Sequence, residues 1–189
     1  MTYKASVRHA STHKAAVNIE ATILYHEVAK FDKIIALAGL KYRDLLQSLD
    51  LEANRKQIFK AGEGAGKSGS FFFFCKDNRF IVKTLRGNEK TVLLGMLDGM
   101  ITYFEENPDS LIAKILGLFT IKNDRFAPVD VILMESTAKD FTPGSNKLFF
   151  DMKGSTESRL SKLNKEQNLK VASEFACRGV LKDLNLLAI

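Results

Sequence analysis

The feature that most constrains the fold is a glycine-rich loop followed directly by two apolar runs. The loop covers residues 61–70 and reads Ala-Gly-Glu-Gly-Ala-Gly-Lys-Ser-Gly-Ser. Four consecutive phenylalanines follow at 71–74, and a second apolar run occupies residues 80–85 after a polar turn. Aromatic and β-branched runs on either side of a turn are typical of an antiparallel hairpin. The sequence therefore predicts a hairpin whose first strand is buried on both faces, entered through a loop that lets the backbone approach a ligand closely.

Two phosphate-binding arrangements fit this loop. In the first, residues 61–68 nearly match the P-loop pattern G-x-x-x-x-G-K-[ST], with Ala61 in place of the first glycine. A P-loop requires a buried strand before it and a helix after it. Here residues 54–60 are largely polar, and four phenylalanines follow the loop. These flanks count against a P-loop NTPase, which is the less favoured alternative.

In the second arrangement the loop is a lid between two antiparallel strands, as in kinases, and a lysine on the next strand approaches the phosphates. A turn centred on residues 77–78 places Lys83 opposite Phe72, about 7–10 Å from Ser70 at the rise of a strand. A lysine between apolar neighbours requires a counter-charge, and Glu89, near the start of the next helix, is the candidate. These features predict nucleotide binding; the alternative is a hairpin whose lysine extends into water.

Apolar periodicity predicts the other elements. Helices are expected over residues 18–50, with a break at Gly39, and after Asn88, which is placed to cap the helix. The helix that begins after Asn88 should end at Asn107-Pro108. Its predicted inner stripe is Leu93, Leu97, Met100 and Phe104, and further apolar stretches lie at 111–121, 129–134 and 148–151.

Composition excludes several classes. Of 189 residues, 46% are hydrophobic, which is enough for a core, and no apolar run is long enough to span a membrane. The net charge of +6, with acids interspersed, suits anionic lipid or nucleotide rather than nucleic acid. Cys75 and Cys177 provide neither a disulfide framework nor zinc spacing, which favours a reducing, cytosolic location. His9 and His13 lack the acidic residue of a metalloprotease pattern. Residues 1–17 are expected to form a flexible tail, although their basic, acid-free composition loosely resembles a transit segment.

The ordered set of motifs resembles the phosphatidylinositol phosphate kinases over about residues 31–187. No single motif is decisive, but their order is specific. The motifs are Tyr-Arg-Asp-Leu-Leu at 42–46, Lys-Ser-Gly-Ser-Phe-Phe-Phe at 67–73, Phe-Ile-Val-Lys-Thr at 80–84, Asn-Pro-Asp-Ser-Leu at 107–111, Gly-Leu-Phe at 117–119, Val-Ile-Leu-Met at 131–134, Phe-Asp-Met-Lys-Gly-Ser-Thr at 150–156 and Leu-Lys-Asp-Leu at 181–184.

The resemblance implies an α+β fold: a lipid-kinase-like N-lobe with an antiparallel sheet and packed helices, followed by the start of a C-lobe. It implies that the loop and Lys83 contact the phosphates of ATP, that adenine lies against the strand holding Met134, and that Lys153 adds positive charge near the transferred or acceptor phosphate. The implied ATP-binding residues are Ser68, Gly69, Ser70, Lys83, Glu89, Met134 and Glu135.

The resemblance also implies a domain layout, cofactors and partners. The expected divisions are a tail at 1–17, a helical region at 18–50, the N-lobe at 51–150 and an incomplete C-lobe at 151–189. ATP and Mg²⁺ are the expected cofactors, and the family's catalytic Asp and metal-binding Asp are expected beyond Ile189. We therefore expect a truncated chain that is inactive alone and acts on a phosphoinositide membrane surface at the cytosolic face. A homodimer, or a heterodimer with a full-length kinase, is the expected assembly, and a non-catalytic dimerisation module is the alternative function.

Overall fold

The computed structural model describes residues 2–11, 14–54, 70–137, 150–160 and 181–186. The chain divides into two compact units, Met1–Lys139 and Asp140–Ile189. The elements described in the first unit are β1 (Thr2–Ser11), β2 (Lys14–Tyr25), α1 (Val28–Leu37), α2 (Tyr42–Ser48), α3 (Leu51–Asn54), β3 (Phe72–Phe74), β4 (Phe80–Thr84), α4 (Glu89–Glu106), β5 (Ile115–Lys122) and β6 (Val129–Glu135). Those described in the second are β7 (Phe150–Asp151), β8 (Leu181–Lys182) and α5 (Asp183–Leu186).

The first unit is built on an antiparallel sheet with the strand order β1-β2-β5-β6-β4-β3. Helices α1 and α4 pack together, and α1 also packs on β5. The second unit contains a short parallel pair, β7 with β8. The predicted α+β class with an antiparallel sheet and packed helices is confirmed. In the part of the chain that the structure describes, no helix is both long and apolar enough to cross a bilayer.

The core lies where α1 and α4 meet the sheet. Ile34 and Leu97 are fully buried, one from each helix, and Phe80 and Leu118 are buried beside them from the strands. The buried stripe of α4 consists of Leu93, Leu97, Ile101 and Phe104. Three of its predicted members are confirmed, whereas Met100 is only partly buried because Ile101, four residues after Leu97, occupies the inner position.

The predicted hairpin is confirmed in its register. β3 and β4 pair antiparallel with Phe72 opposite Lys83, as the turn length predicts. Burial of β3 on both faces is wrong, because its last residue, Phe74, is exposed; among the described strands, β3 lies at the edge of the sheet beside β4. Phe71 and Phe74 are 44% and 45% exposed. An aromatic run predicts a strand but does not say whether that strand is central or at the edge.

The helix predicted over residues 18–25 is wrong, since these residues belong to β2. Residues 2–11, assigned to a flexible tail, form β1 and pair antiparallel with β2. The alternating apolar residues at 17, 19, 21, 23 and 25 fit a strand period, and they competed with the threes-and-fours spacing that suggested a helix. The helices expected later in this region occur as α1 and α2, with a turn at Gly39, whose φ is +65°.

The buried position of Leu97 leads to a stability prediction. Leu97→Ala should lower the free energy of unfolding by about 2–5 kcal/mol, because it leaves a cavity between α4 and the sheet. Met96→Ala is the matched control, since Met96 is 54% exposed on the same helix and should change stability by at most about 0.5 kcal/mol. Urea unfolding of both variants measures the difference. Equal losses would contradict the assigned core face of α4.

Candidate functional site

Lys83 is the penultimate residue of β4, which lies between β3 and β6. It opposes Phe72 on one side and Ile132 on the other. Its ammonium nitrogen is 3.2 Å from Glu89 Oε1 and 6.0 Å from the centroid of the Phe72 ring, and its side chain is 22% exposed. The lysine is thus held by one carboxylate and one aromatic face at a position that is still open to solvent.

Glu89 is the first residue of α4, and both of its carboxylate oxygens are occupied. Oε1 accepts from Lys83, and Oε2 accepts from the backbone amide of Arg86 at 2.8 Å. The Arg86 amide and then Lys83 hold the pKa of Glu89 below its usual range, against the opposing effect of burial. The predicted pairing of Lys83 with Glu89 is therefore present. Asn88 occupies the N-cap position without a side-chain cap bond.

The described end of the glycine loop lies beside Lys83. Ser68 and Gly69, and Lys67 of the P-loop alternative, lie outside the described residues. Ser70 is buried immediately before β3. The Phe71 amide donates to Thr84 Oγ1 at 2.8 Å, and the Thr84 amide donates to the Phe71 carbonyl at 3.0 Å. The chain that leaves the loop is thus fixed next to the residue that follows Lys83.

The nearest described elements on either side of the loop differ from those that a P-loop requires. The nearest described element before the loop is the helix α3, and the nearest one after it is the strand β3. A P-loop places a strand before and a helix after, so that the helix amides face the phosphates. The strand after the loop therefore counts against a P-loop, whereas residues 55–60, between α3 and the loop, lie outside the described residues.

Met134 and Glu135 end strand β6, opposite Ile81 and Phe80 of β4. The Glu135 amide donates to the Lys114 carbonyl at 2.9 Å, and its carboxylate accepts from the Lys114 amide at 3.2 Å. Because the Glu135 amide is bonded within the sheet, it is not available to donate to a purine. Met134, which packs partly buried against the core, can contribute only an apolar contact through its side chain.

Lys114 is a buried lysine that no pattern in the sequence indicates. It is 8% exposed, and its ammonium nitrogen lies 4.0 Å from Glu135 Oε2 and 5.1 Å from the centroid of the Phe104 ring. It joins the start of β5 to the end of β6. A charge pair 21 residues apart in sequence has no local signature, so only the fold reveals it.

In the second unit, Lys153 lies in a loop held by Asp183. One carboxylate oxygen of Asp183 accepts from the amides of Lys153 and Gly154, at 2.9 and 2.8 Å. The other accepts from Arg159 Nε at 2.6 Å. The Lys153 ammonium itself lies 2.9 Å from Asp151 Oδ1 and is largely exposed. Asp183 therefore fixes the backbone of the lysine-bearing loop and leaves the lysine head near water.

Asp183 is a site residue that sequence reasoning missed. The Arg159 guanidinium and then the two loop amides lower the pKa of Asp183 well below its ordinary value. A carboxylate whose pKa falls on folding stabilises the folded state above the unfolded pKa of about 3.9. That contribution is lost as the pH falls below it. The one feature of the sequence that pointed to Asp183 is its position in the Leu-Lys-Asp-Leu segment at 181–184.

The described residues fit part of what a nucleotide site requires. Lys83 offers an ammonium beside the end of a glycine-rich loop, which suits the charge of phosphate oxygens. Across the described ranges, no three His, Cys, Asp or Glu side chains converge to hold a metal ion.

Comparison with known proteins identifies the family. A family model described as "Phosphatidylinositol-4-phosphate 5-Kinase" matches residues 53–189, which is well over half of the chain. The chain belongs to this family. The resemblance drawn from the motifs is thereby confirmed.

Individual proteins that resemble this chain carry names from the same kinase family. Phosphatidylinositol 4-phosphate 5-kinase its3 of Schizosaccharomyces pombe is 33% identical over 140 residues, covering 69% of this chain and 18% of the relative. Phosphatidylinositol 4-phosphate 5-kinase type-1 beta of Gallus gallus is 32% identical over 153 residues, covering 79% and 26%. A probable phosphatidylinositol phosphate kinase of Dictyostelium discoideum is 28% identical over 142 residues, covering 70% and 19%. The chain thus spans about a fifth to a quarter of the length of these relatives.

The Asp183 contacts lead to a prediction for this family member. Asp183→Asn should speed hydrogen exchange at the amides of Lys153 and Gly154 about tenfold or more, because hydrogen bonds to a charged acceptor contribute about 1.5–3 kcal/mol. Asp151→Asn is the matched control, since Asp151 contacts the side chains of Lys153 and Arg159 rather than these two amides. Exchange rates that rise equally in both variants would contradict the role given to Asp183.

Proposed function

We propose that this chain supplies the ATP-binding elements of a phosphatidylinositol phosphate kinase. The reaction transfers the γ-phosphate of ATP to a hydroxyl of a phosphoinositide head group. The observation that carries the proposal is the ion pair of Lys83 with Glu89, placed beside the end of the glycine-rich loop. The names of the relatives, which are phosphatidylinositol 4-phosphate 5-kinases, support phosphatidylinositol 4-phosphate as the substrate.

The roles of the residues follow from their contacts. The Lys83 ammonium carries three N–H donors. One of them is donated to Glu89, so the ammonium can still donate to phosphate oxygens. Glu89 fixes the direction of the ammonium because its second oxygen is bound to the backbone at Arg86. Phosphoryl transfer depends largely on positioning and on neutralising charge, and a fixed lysine provides both.

The other residues that the family resemblance implies would contact ATP in different ways. Ser68, Gly69 and Ser70 would cover the phosphates with backbone amides, and Met134 would provide an apolar surface for adenine. Glu135 would act only through its position at the end of β6, since its amide is engaged by Lys114. When bound, Mg²⁺ would neutralise phosphate charge during the transfer.

Lys153 and the membrane complete the proposal. Lys153 is exposed at the head of its loop and would lie near the acceptor or transferred phosphate. The phosphoinositide surface at the cytosolic face would be the partner, and each lysine or arginine near an anionic leaflet contributes about 1 kcal/mol. The net charge of +6 is consistent with such a surface.

Nucleotide affinity tests the central claim. Lys83→Met should raise the Kd for ATP about 10–100-fold, because a hydrogen bond to a charged group contributes about 1.5–3 kcal/mol. Lys67→Met should change it far less, whereas in a P-loop protein Lys67 would be the decisive residue. Lys76→Met, an exposed lysine in the turn of the same hairpin, is the matched control. Titration calorimetry with ATP measures all three variants, and loss of binding in Lys67→Met alone would favour a P-loop.

A vesicle assay separates the proposal from its alternative, a non-catalytic module that pairs with a second kinase chain. The chain is mixed with labelled ATP, Mg²⁺ and vesicles containing phosphatidylinositol 4-phosphate, alone or with a full-length family member. That the chain alone transfers no phosphate stays a prediction, and labelled lipid formed by the chain alone would contradict it. ATP binding that is weakened by Lys83→Met supports the proposal, whereas an increase in the partner's turnover without ATP binding by this chain supports the alternative.

A further inference from the structure

Polar side chains from α4, from β6 and from the segment before α1 converge on the hydroxyl of Thr120. Thr120 lies on β5 and is 5% exposed. His26 Nε2 is 2.7 Å from its Oγ1, and Lys90 Nζ of α4 is 3.0 Å from it. Asp130 of β6 accepts from the same hydroxyl and also from Lys90, at 2.9 Å. The cluster formed by His26, Lys90, Thr120 and Asp130 lies outside the residues implied to bind ATP.

The hydrogen bonds of this cluster can be assigned atom by atom. A threonine hydroxyl has one hydrogen to donate and two lone pairs to accept with. The Asp130 carboxylate can only accept, so it takes the hydroxyl hydrogen, and the Lys90 ammonium can only donate, so it occupies one lone pair. The second lone pair must accept from His26, which therefore carries its hydrogen on Nε2. The one donor and both acceptor positions of the hydroxyl are then used.

The charges are consistent with this assignment. Burial and then the nearby Lys90 lower the pKa of His26, which keeps its imidazole neutral near pH 7. Burial opposes ionisation of Asp130, but the hydrogen bonds from Thr120 and Lys90 outweigh it and lower the pKa of Asp130. The cluster thus holds one carboxylate against one ammonium.

Asp130 contacts residues that lie close in sequence to each partner of the Lys83–Glu89 pair. Its carboxylate binds Lys90, the residue that follows Glu89 in the first turn of α4. Its backbone carbonyl accepts from the amide of Leu85, two residues after Lys83, at 2.8 Å. One residue of β6 therefore holds both the end of β4 and the start of α4.

We propose that Asp130 is a positioning residue, which through Lys90 and Thr120 holds the first turn of α4 on the sheet and so keeps Glu89 in contact with Lys83. This inference rests on the proposed function only where it predicts a change in the affinity for ATP. Its structural part, the position of the first turn of α4, does not depend on that function. Asp130 touches neither Lys83 nor the end of the glycine loop and acts through the helix.

The chain offers a matched control on the same helix. Asp98 of α4 pairs with Lys30 of α1 at 2.6 Å, in a second ion pair that joins α4 to a neighbouring element. It lies nine residues after Glu89, so its loss should not move the first turn. Asp98→Asn and Asp130→Asn therefore each remove one carboxylate from an ion pair that holds α4, Asp98 on the helix itself and Asp130 on β6.

Two readouts test the proposal on the 189-residue chain. Asp130→Asn should raise the Kd for ATP about three- to tenfold and should speed hydrogen exchange in the first turn of α4, whereas Asp98→Asn should do neither. Lys90→Met should resemble Asp130→Asn. Lys90→Arg should bind ATP as the unmodified chain does, because arginine also pairs with a carboxylate. Circular dichroism confirms that each variant is folded, and Lys90→Met replaces Asp130→Asn if the latter does not fold.

The outcomes separate this inference from the proposed function. If the unmodified chain binds ATP, Lys83→Met binds it more weakly, and Asp130→Asn matches the unmodified chain in both readouts, the positioning role is overturned. Equal losses in Asp130→Asn and Asp98→Asn indicate general destabilisation and also overturn it. If neither the unmodified chain nor any variant binds ATP, the proposed function fails, and exchange in the first turn of α4 still decides whether Asp130 positions that turn.

Discussion

The ion pair between Lys83 and Glu89 is the interaction on which the rest of the candidate site depends. Keeping a lysine of β4 partly buried without a negative partner is unfavourable, because desolvating an unpaired ammonium is costly. Glu89 is that partner, and it is itself anchored by the Arg86 amide. The pair can form only if the start of α4 lies beside β4, so the position of one helix determines whether the lysine is available to a phosphate.

The architecture of the first unit follows from this requirement. The apolar stripe of α4 packs on the sheet and sets the distance of the helix from β4, but an apolar stripe is non-directional and does not fix rotation or sliding finely. Directional contacts supply that precision. Asp130 holds the first turn through Lys90, and Lys114 with Glu135 ties the start of β5 to the end of β6. Core packing and polar contacts thus have separate tasks.

Local features were predictable from the sequence, whereas distant pairs were not. The hairpin register follows from its turn, and the pairing of Lys83 with Glu89 follows from their spacing of six residues and the start of a helix. The edge position of β3 depends on the order of all the strands, and residues 18–25 carry a strand period and a helix period at once. The pairs of Lys114 with Glu135 and of Lys153 with Asp183 join residues 21 and 30 apart.

The contacts of Asp183 give a physical reason why two of the family motifs in this chain belong together. The segment Asp-Met-Lys-Gly-Ser-Thr presents two backbone amides, at Lys153 and Gly154, that its own side chains do not satisfy through any described contact. The segment Leu-Lys-Asp-Leu supplies the carboxylate that accepts both, and Arg159 balances its charge. If Asp183 were lost, the loop would lose the acceptor of its two amides. The backbone at Lys153 would then no longer be held in one conformation. The lysine-bearing motif therefore requires the later motif in order to hold its conformation.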